Sequence, residues 1–322
     1  ARAPEEIYAA AGEAAALLRR GEIVAVPTET VYGLACDALN AEAAAKVFAA
    51  KERPSFDPLI AHVADATWIE SLSVVTGGAD ALARKLAEAF WPGPLTLLLE
   101  KHPRVSPVIT GGLPTIGLRV PNHPVLLDLL QRFDLAVAAP SANPYQKLSP
   151  TTAGQVLAGL GGRIAAVLDG GPCTEGTEST ILRVEGETAE ILRSGPITAA
   201  VLQPYLPFPV RVPERHAHAV SGNVRVHYRP DATLSIKPAE ELLAILQNPP
   251  PDTGFLVHSV ALRESRARHL YVMPEDHRAY RRALYATLHE LDRQVNRIWV
   301  EEPPDGPEWL DIWDRLSRAA AG

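Results

Sequence analysis

Helical and strand-like patterns of apolar residues alternate along the first 200 residues of the chain. Residues 5–20 have the spacing of an amphipathic helix, and the β-branched run 22–27 that follows predicts a strand. Further helices are predicted at 41–50, 79–90, 123–132 and 152–159, and further strands at 59–63, 95–99, 115–120, 135–139, 165–168, 179–184 and 189–192. Alternation of this kind indicates an α/β layer architecture.

The alternation breaks between about Pro204 and Pro230, where prolines cluster and the stretch 217–223 has turn-forming residues without periodicity. We interpret this region as an interdomain linker. A second α/β pattern follows it, with strands predicted at 253–258, 269–273 and 297–300 and helices at 276–292 and 307–320.

The total length of 322 residues suits about two domains. We predict a first domain over residues 1–203, a linker over 204–232 and a smaller second domain over 233–322. A hydrophobic fraction of 47% is enough to build a core in each domain.

Net charge and cysteine content indicate which partners and which cellular compartment suit the protein. The net charge of -7 argues against a long nucleic-acid-binding surface, although it allows a small basic pocket. Cys36 and Cys173 are far apart and form no CxxC motif, which fits a reducing cytosol. The N-terminal stretch is interrupted by charges and no apolar run approaches about 20 residues, so we expect a cytoplasmic protein without a membrane segment.

Two polar loops of the first domain are candidates for chemistry. The loop 27–33 follows a strand and supplies hydroxyl groups, although a solvated turn explains it equally well. At the end of the next helix, Lys51 and Arg53 are followed by two prolines; the two cations suit a polyphosphate. Taken alone, a cation pair that favours the helix C-terminus explains them at least as well. His62 on the following strand is compatible with a structural role.

Two further segments extend the pattern. Arg119 lies in an apolar strand, so it needs either an anionic ligand or a buried carboxylate. After the strand 135–139, small residues and prolines surround Ser141 and Asn143, which would let a purine or ribose approach the backbone. No P-loop, GxGxxG, HExxH or GxSxG motif occurs, so any ATP site uses a different set of loops.

Seven segments in collinear order resemble the Sua5/YrdC/TsaC family of threonylcarbamoyl-adenylate synthases. They are PTETVYGL at 27–34, KERPSFDPLIAHV at 51–63, FWPGPLTLLL at 90–99, TIGLRVPNHP at 115–124, APSANPYQKLSPTTA at 139–153, TESTILRV at 177–184 and ILRSGPIT at 191–198. The element HYRP at 227–230 and the C-terminal segments are similar to the long Sua5 type. The chain departs from the family's usual residues at Asp57 (commonly Asn), at 221–224 (commonly SPGM) and at His289 (commonly Arg).

The resemblance implies a YrdC-like twisted open mixed sheet with flanking helices and a smaller Rossmann-like C-terminal α/β domain. It implies that threonine, bicarbonate and ATP, with Mg²⁺ on the phosphates and no dedicated metal site, give threonylcarbamoyl-AMP and pyrophosphate. The product would pass to a tRNA threonylcarbamoyl transferase, with weak or indirect tRNA binding by this chain.

The resemblance also implies roles for individual residues. Lys51 and Arg53 would be catalytic and bind the triphosphate. The implied threonine ligands are Thr30, His62, Arg119 and Ser179. The other implied nucleotide ligands are Thr115, Ser141, Asn143, Ser149, Arg193 and Tyr228, the last as part of a linker lid. A carbamoyl-transfer domain of the hydrogenase-maturation type and a non-enzymatic RNA-binding module are the alternatives.

Overall fold

The computed structural model describes residues 4–74, 77–213, 220–222 and 226–321. Of the turn-rich stretch 217–223, residues 217–219 and 223 lie outside the described residues. The described chain folds into two compact units, each built from helices packed on a β-sheet.

The helices and strands alternate along the chain. The helices are α1 (Pro4–Arg19), α2 (Ala41–Lys51), α3 (Trp68–Leu72), α4 (Gly77–Phe90), α5 (Pro124–Phe133), α6 (Ala153–Leu160), α7 (Ala199–Leu202), α8 (Ala239–Ile245), α9 (Val260–Arg263), α10 (His277–Asp292) and α11 (Leu310–Ala320). The strands are β1 (Val24–Val26), β2 (Gly33–Asp37), β3 (Ile60–His62), β4 (Leu95–Glu100), β5 (Thr115–Arg119), β6 (Val137–Ala138), β7 (Ala166–Val167), β8 (Thr180–Glu185), β9 (Thr188–Arg193), β10 (Val210–Arg211), β11 (Thr233–Lys237), β12 (Thr253–Val257), β13 (Leu270–Val272) and β14 (Arg297–Glu301).

The first unit contains a ten-stranded mixed sheet in the order β10-β9-β8-β4-β5-β3-β6-β2-β1-β7. Apolar side chains cover both faces of this sheet. On β1, Val24 and Val26 belong to one buried cluster and Ala25 to another, as expected where successive side chains point to opposite faces. This confirms the predicted α/β fold with a mixed sheet and flanking helices.

The second unit has a four-stranded parallel sheet in the order β11-β14-β12-β13. Its strand β11 and helix α8 were not predicted from the sequence. The strand β2 of the first unit was also missed. Its residues GLACD lack both β-branched side chains and a period of two, and it is buried between β1 and β6.

The division into units differs from the predicted domains in two short segments and in the predicted linker 204–232, which is divided between the ranges Glu178–Asn223 of the first unit and Val224–Gly322 of the second. Residues Gln146–Ser149 and Glu175–Thr177 belong to the second unit together with Val224–Gly322. For the first segment the physical reason is bonding to residues far along the chain, because the amide of Arg229 donates to the Gln146 carbonyl over 2.8 Å and Lys147 pairs with Asp231. The sequence pattern could not show this, because such contacts are distant along the chain.

Candidate active site in the first unit

Lys51 is the last residue of α2. The helix begins at the Asn40 cap, whose side chain accepts two backbone N–H groups, and ends where Glu52 adopts a left-handed conformation with φ 55°. The Lys51 side chain is 1% exposed, and its Nζ donates to the carbonyl oxygens of Ser141 and Asn143, each at 2.5 Å. The lysine therefore joins the end of α2 to the loop that follows β6, instead of simply capping its own helix.

Arg53 is anchored by several acceptors. Its Nη2 lies 2.8 Å from Asp57 Oδ1 and also donates to the Pro58 carbonyl and to Ser221 Oγ. Arg53 and Asp57 are 2% and 3% exposed in their side chains, so this is a buried ion pair with a fixed geometry. The Arg53 guanidinium also lies over the ring of Tyr145, 5.8 Å from its centroid.

Arg193, at the end of β9, connects two further segments. Its Nε donates to the Ser179 carbonyl and its Nη2 to Ser179 Oγ, each over 3.0 Å, while Nη1 donates to the Ser221 carbonyl over 3.0 Å. Ser179 Oγ is also 2.8 Å from Thr96 Oγ1. Ser221 therefore bridges the guanidinium groups of Arg53 and Arg193.

Arg119 lies on β5 beside His62 on β3, because the two residues are in register on parallel strands. Its Nη2 pairs with Glu29 Oε2, and its Nη1 donates to Thr30 Oγ1 over 3.0 Å. Thr30 is held in turn by Thr28, with 2.8 Å between the two hydroxyl oxygens. Of the two alternatives for a strand arginine, the structure supplies the buried carboxylate, Glu29.

Burial determines the charge states in this region. It lowers the pKa of His62 to about 3, and the positive charges of Arg119 and Arg193 act in the same direction. Burial also lowers the pKa of Lys51 well below its ordinary value, and the nearby Arg53 lowers it further. His62 is therefore neutral at neutral pH, and Lys51 loses part of its preference for the charged form.

These contacts place basic and hydroxyl side chains from separate helix ends, strands and loops in one continuous cluster. Lys51 lies close enough to Arg53 for their charges to interact, Ser221 connects Arg53 to Arg193, and Arg193 and Arg119 both act on His62. Donors held in fixed positions inside a protein bind anions strongly, because the surrounding medium screens them poorly. The cluster therefore concentrates basic side chains in buried, fixed positions, as an anion-binding site requires.

Comparison with known proteins gives a consistent result over both units. Residues 16–195 match the Sua5_yciO_yrdC family model, described as "Telomere recombination". Residues 190–321 match the model described as "Threonylcarbamoyl-AMP synthase, C-terminal domain". A threonylcarbamoyl-AMP synthase of Bacillus subtilis (strain 168) is 38% identical over 96% of this chain and 92% of its own length.

The chain belongs to the Sua5 family of threonylcarbamoyl-AMP synthases. A second relative of that name, from Pyrococcus abyssi, is 33% identical over 95% of this chain and 93% of its own length. The crystal structure of P. abyssi Sua5 complexed with L-threonine superposes with a TM-score of 0.87, at 31% identity, and covers 98% of this chain and 94% of that one. The family resemblance stated from the sequence motifs is thus confirmed.

Nine of the twelve predicted Sua5 site residues lie in the cluster of the first unit. They are Thr30, Lys51, Arg53, His62, Arg119, Ser141, Asn143, Ser179 and Arg193. Ser141 and Asn143 take part through their backbone carbonyl groups, which bind Lys51.

Thr115 approaches the cluster from another direction. It lies at the opposite end of β5 from Arg119, about 13 Å along the strand. With Thr96 and Ser221 it lines a cavity of about 10 Å³, roughly the space for one water molecule. Its contact with a nucleotide stays a prediction.

Ser149 and Tyr228 belong to the second unit. The Ser149 carbonyl lies 3.1 Å from His289 Nε2. The Tyr228 ring is 1% exposed and packs 5.9 Å from the ring centroid of Tyr285. Nucleotide binding by these two residues, and a lid formed by Tyr228, therefore remain predictions.

Glu29, Asp57 and Ser221 are the cluster residues that sequence reasoning missed. Glu29 had a detectable signal, because an acidic residue within a hydroxyl-rich loop could neutralise the strand arginine. Asp57 stands where the Sua5 family commonly has Asn, and here it forms the ion pair with Arg53. Ser221 had no signal, since it contacts Arg53 across 168 residues of sequence.

Within the described part of the chain, no three His, Cys, Asp or Glu side chains come together in a way that could hold a metal ion. No helix in the same part of the chain is both long and apolar enough to span a membrane.

Proposed function

We propose that this protein transfers the adenylyl group of ATP to a threonine carbamate and is therefore a nucleotidyltransferase. The amine of threonine attacks the carbon of bicarbonate, which gives the carbamate and releases water. A carbamate oxygen then attacks the α-phosphorus, the bond to the β-phosphate breaks, and pyrophosphate leaves. This reaction needs alignment and charge neutralisation rather than a covalent nucleophile.

The observation that carries the proposal is the convergence of four buried basic side chains, Lys51, Arg53, Arg119 and Arg193, with hydroxyl groups in one cluster. Lys51 and Arg53 would hold the triphosphate, and Mg²⁺ would arrive bound to the phosphate oxygens. Arg119 would bind the threonine carboxylate. Glu29 orients its guanidinium through Nη2, and the buried Nε has no partner within the described structure.

The neutral state of His62 supports a role in binding threonine. A neutral imidazole adds no further positive charge beside Arg119, and one of its ring nitrogens can donate a hydrogen bond to a hydroxyl group or accept one from it. Thr30 supplies a hydroxyl group to Arg119, and Ser179 supplies one to Arg193, whose charge also acts on His62. We further propose that the product passes to a tRNA threonylcarbamoyl transferase and that both proteins work in the cytosol.

The direct test incubates the protein with ATP, Mg²⁺, bicarbonate and threonine and measures pyrophosphate release. We expect release that requires both threonine and bicarbonate. Arg53→Ala should abolish it while the circular dichroism spectrum is retained. Arg163→Ala is the matched control, because this arginine is 46% exposed and its ion pair with Glu52 lies at the surface. Wild-type turnover by Arg53→Ala would rule out the proposed role of Arg53.

An RNA-binding function is the second candidate, and the net charge of -7 weighs against it. A gel shift with tRNA at moderate salt, in the absence of ATP, separates the two. Tight tRNA binding without threonine-dependent pyrophosphate release would favour the RNA-binding function.

A further inference from the structure

One buried face of α10 contacts three separate segments of the chain. Arg281, Tyr285 and His289 are spaced four residues apart, so their side chains lie along the same side of the helix. Arg281 and Tyr285 are fully or almost fully buried, at 3% and 0% exposure. We call these three residues the anchoring face.

Arg281 holds the segment Glu175–Thr177. Its Nη2 lies 2.5 Å from Glu175 Oε2 and its Nη1 lies 3.8 Å from Asp311 Oδ2. The same Asp311 oxygen accepts a hydrogen bond from Thr177 Oγ1 over 3.2 Å. The arginine and the aspartate thus hold both ends of the three-residue segment.

Gly176 shows how closely this segment approaches the helix. Its φ is +86°, and a Cβ built on it would lie 2.6 Å from Arg282 Cα and 2.7 Å from the Arg281 carbonyl oxygen. Both the conformation and the space exclude a larger residue. The segment therefore rests directly on the backbone of α10.

His289 holds the other end of the anchoring face against Ser149. The acceptor is a carbonyl oxygen 3.1 Å away, so Nε2 is the donor. Burial lowers the pKa of His289, so the neutral tautomer with a proton on Nε2 meets this requirement. Between the two ends, Tyr285 packs against Tyr228, whose ring also lies 5.2 Å below the Arg315 guanidinium.

The two held segments lead directly into residues of the proposed site. Thr177 is two residues before Ser179, and Ser149 follows the loop that contains Ser141 and Asn143. Adjacent Cα atoms are about 3.8 Å apart with a planar peptide between them, so a displacement at Thr177 is transmitted to Ser179.

We propose that the anchoring face of α10 positions both halves of the substrate site, with Arg281 acting on the threonine side and His289 on the nucleotide side. The assignment of one side of the site to threonine and the other to the nucleotide rests on the proposed function. Arg281 and His289 are positioning residues, since they act through segments 175–177 and 146–149. The second unit would thereby contribute to catalysis without supplying a reacting group.

The kinetic test compares Arg281→Met, which keeps the apolar stem, with His289→Phe. We expect Arg281→Met to raise KM for threonine about 10-fold while kcat and KM for ATP change little, because a small misplacement of a binding group is costly. We expect the reverse pattern, a higher KM for ATP, in His289→Phe. A role confined to stability would lower the melting temperature and leave both KM values unchanged.

Three further variants make the test decisive. Arg281→Lys keeps the charge and should recover part of the threonine KM, whereas Gly176→Ala should reproduce Arg281→Met without removing any charge. Arg278→Ala is the control, since this residue is exposed on the same helix. If Arg281→Met does not fold, Arg281→Lys and His289→Phe decide the result. Unchanged KM values, or equal increases for both substrates in either variant, would overturn the proposal.

Amide hydrogen exchange tests the inference without any substrate. In Arg281→Met the peptide covering 178–184 should exchange about 10-fold faster, whereas peptides from β1 should be unaffected. Unchanged exchange at 178–184 would overturn the anchoring role even if the protein released pyrophosphate normally. Faster exchange would support it even if the wild-type protein released none, so the failure of the proposed function and that of this inference are distinguishable.

Discussion

Acidification should destabilise the first unit through His62, a contribution that can be isolated by substitution. Burial lowers the pKa of His62 to about 3 from an ordinary value of 6.5. Between these two values the unfolded chain binds a proton at this residue and the folded chain does not. Stability is therefore lost as the pH falls from 6.5 toward 3.

The size of the effect follows from the pKa of His62 in the two states. Lowering the pH from 7 to 5 should remove about 2 kcal/mol of the free energy of unfolding through this residue alone. His62→Asn provides the comparison, because the shorter amide does not titrate and can still donate to the Ile60 carbonyl, which lies 3.2 Å from His62 Nδ1. All other titrating groups are common to both proteins, so their contributions cancel in the difference.

Hydrogen exchange at the amides of β3 and β5, corrected for intrinsic rates, reports the unfolding of this unit at pH 7, 6 and 5. We expect the parent protein to lose about 2 kcal/mol more than His62→Asn over that interval. Parallel losses in the two proteins would refute the reasoning, because they would mean that His62 is protonated at similar pH in the folded and unfolded states.

Three other predictions concern the same cluster. Burial lowers the pKa of Lys51, and the negative charge of the triphosphate should raise it again, so ATP binding should be accompanied by uptake of a proton. Calorimetry in two buffers of different ionisation enthalpy would detect this uptake. Lys51→Met should abolish it. Asp57→Ala removes the buried carboxylate that pairs with Arg53 and should cost about 3 kcal/mol in urea unfolding, whereas Asp57→Asn should cost less. Gly195→Ala places a Cβ 2.4 Å from the Thr180 amide nitrogen, so it should displace the start of β8 and lower threonine-dependent turnover about 100-fold.

Matched controls exist for the last two predictions. Asp128→Ala breaks an ion pair with Arg132, which is 46% exposed, and should cost less than about 1 kcal/mol. Gly154→Ala adds a Cβ whose nearest neighbour is 4.0 Å away, so turnover should stay normal. A similar cost for Asp57→Ala and Asp128→Ala, or normal turnover in Gly195→Ala, would contradict the corresponding prediction.

The sequence by itself determined the fold class and the family. The alternation of helix and strand patterns requires buried sheets with helices on their faces, and this information is local along the chain. Seven collinear motifs then indicated the family that the comparisons confirm. Strands without a periodic pattern, such as β2, were missed because their stability comes from neighbours on both sides.

Only the tertiary structure decided which charges are paired and which segments belong together. The sequence indicated that Arg119 needs a counter-charge. Only the structure shows that Glu29, 90 residues away in a loop that packs against β5, supplies it. Ser221 joins the cluster, and residues 175–177 join the second unit, through contacts between residues distant in sequence. Such contacts depend on how the helices and strands pack in three dimensions, and the local pattern of apolar and polar residues does not determine that packing.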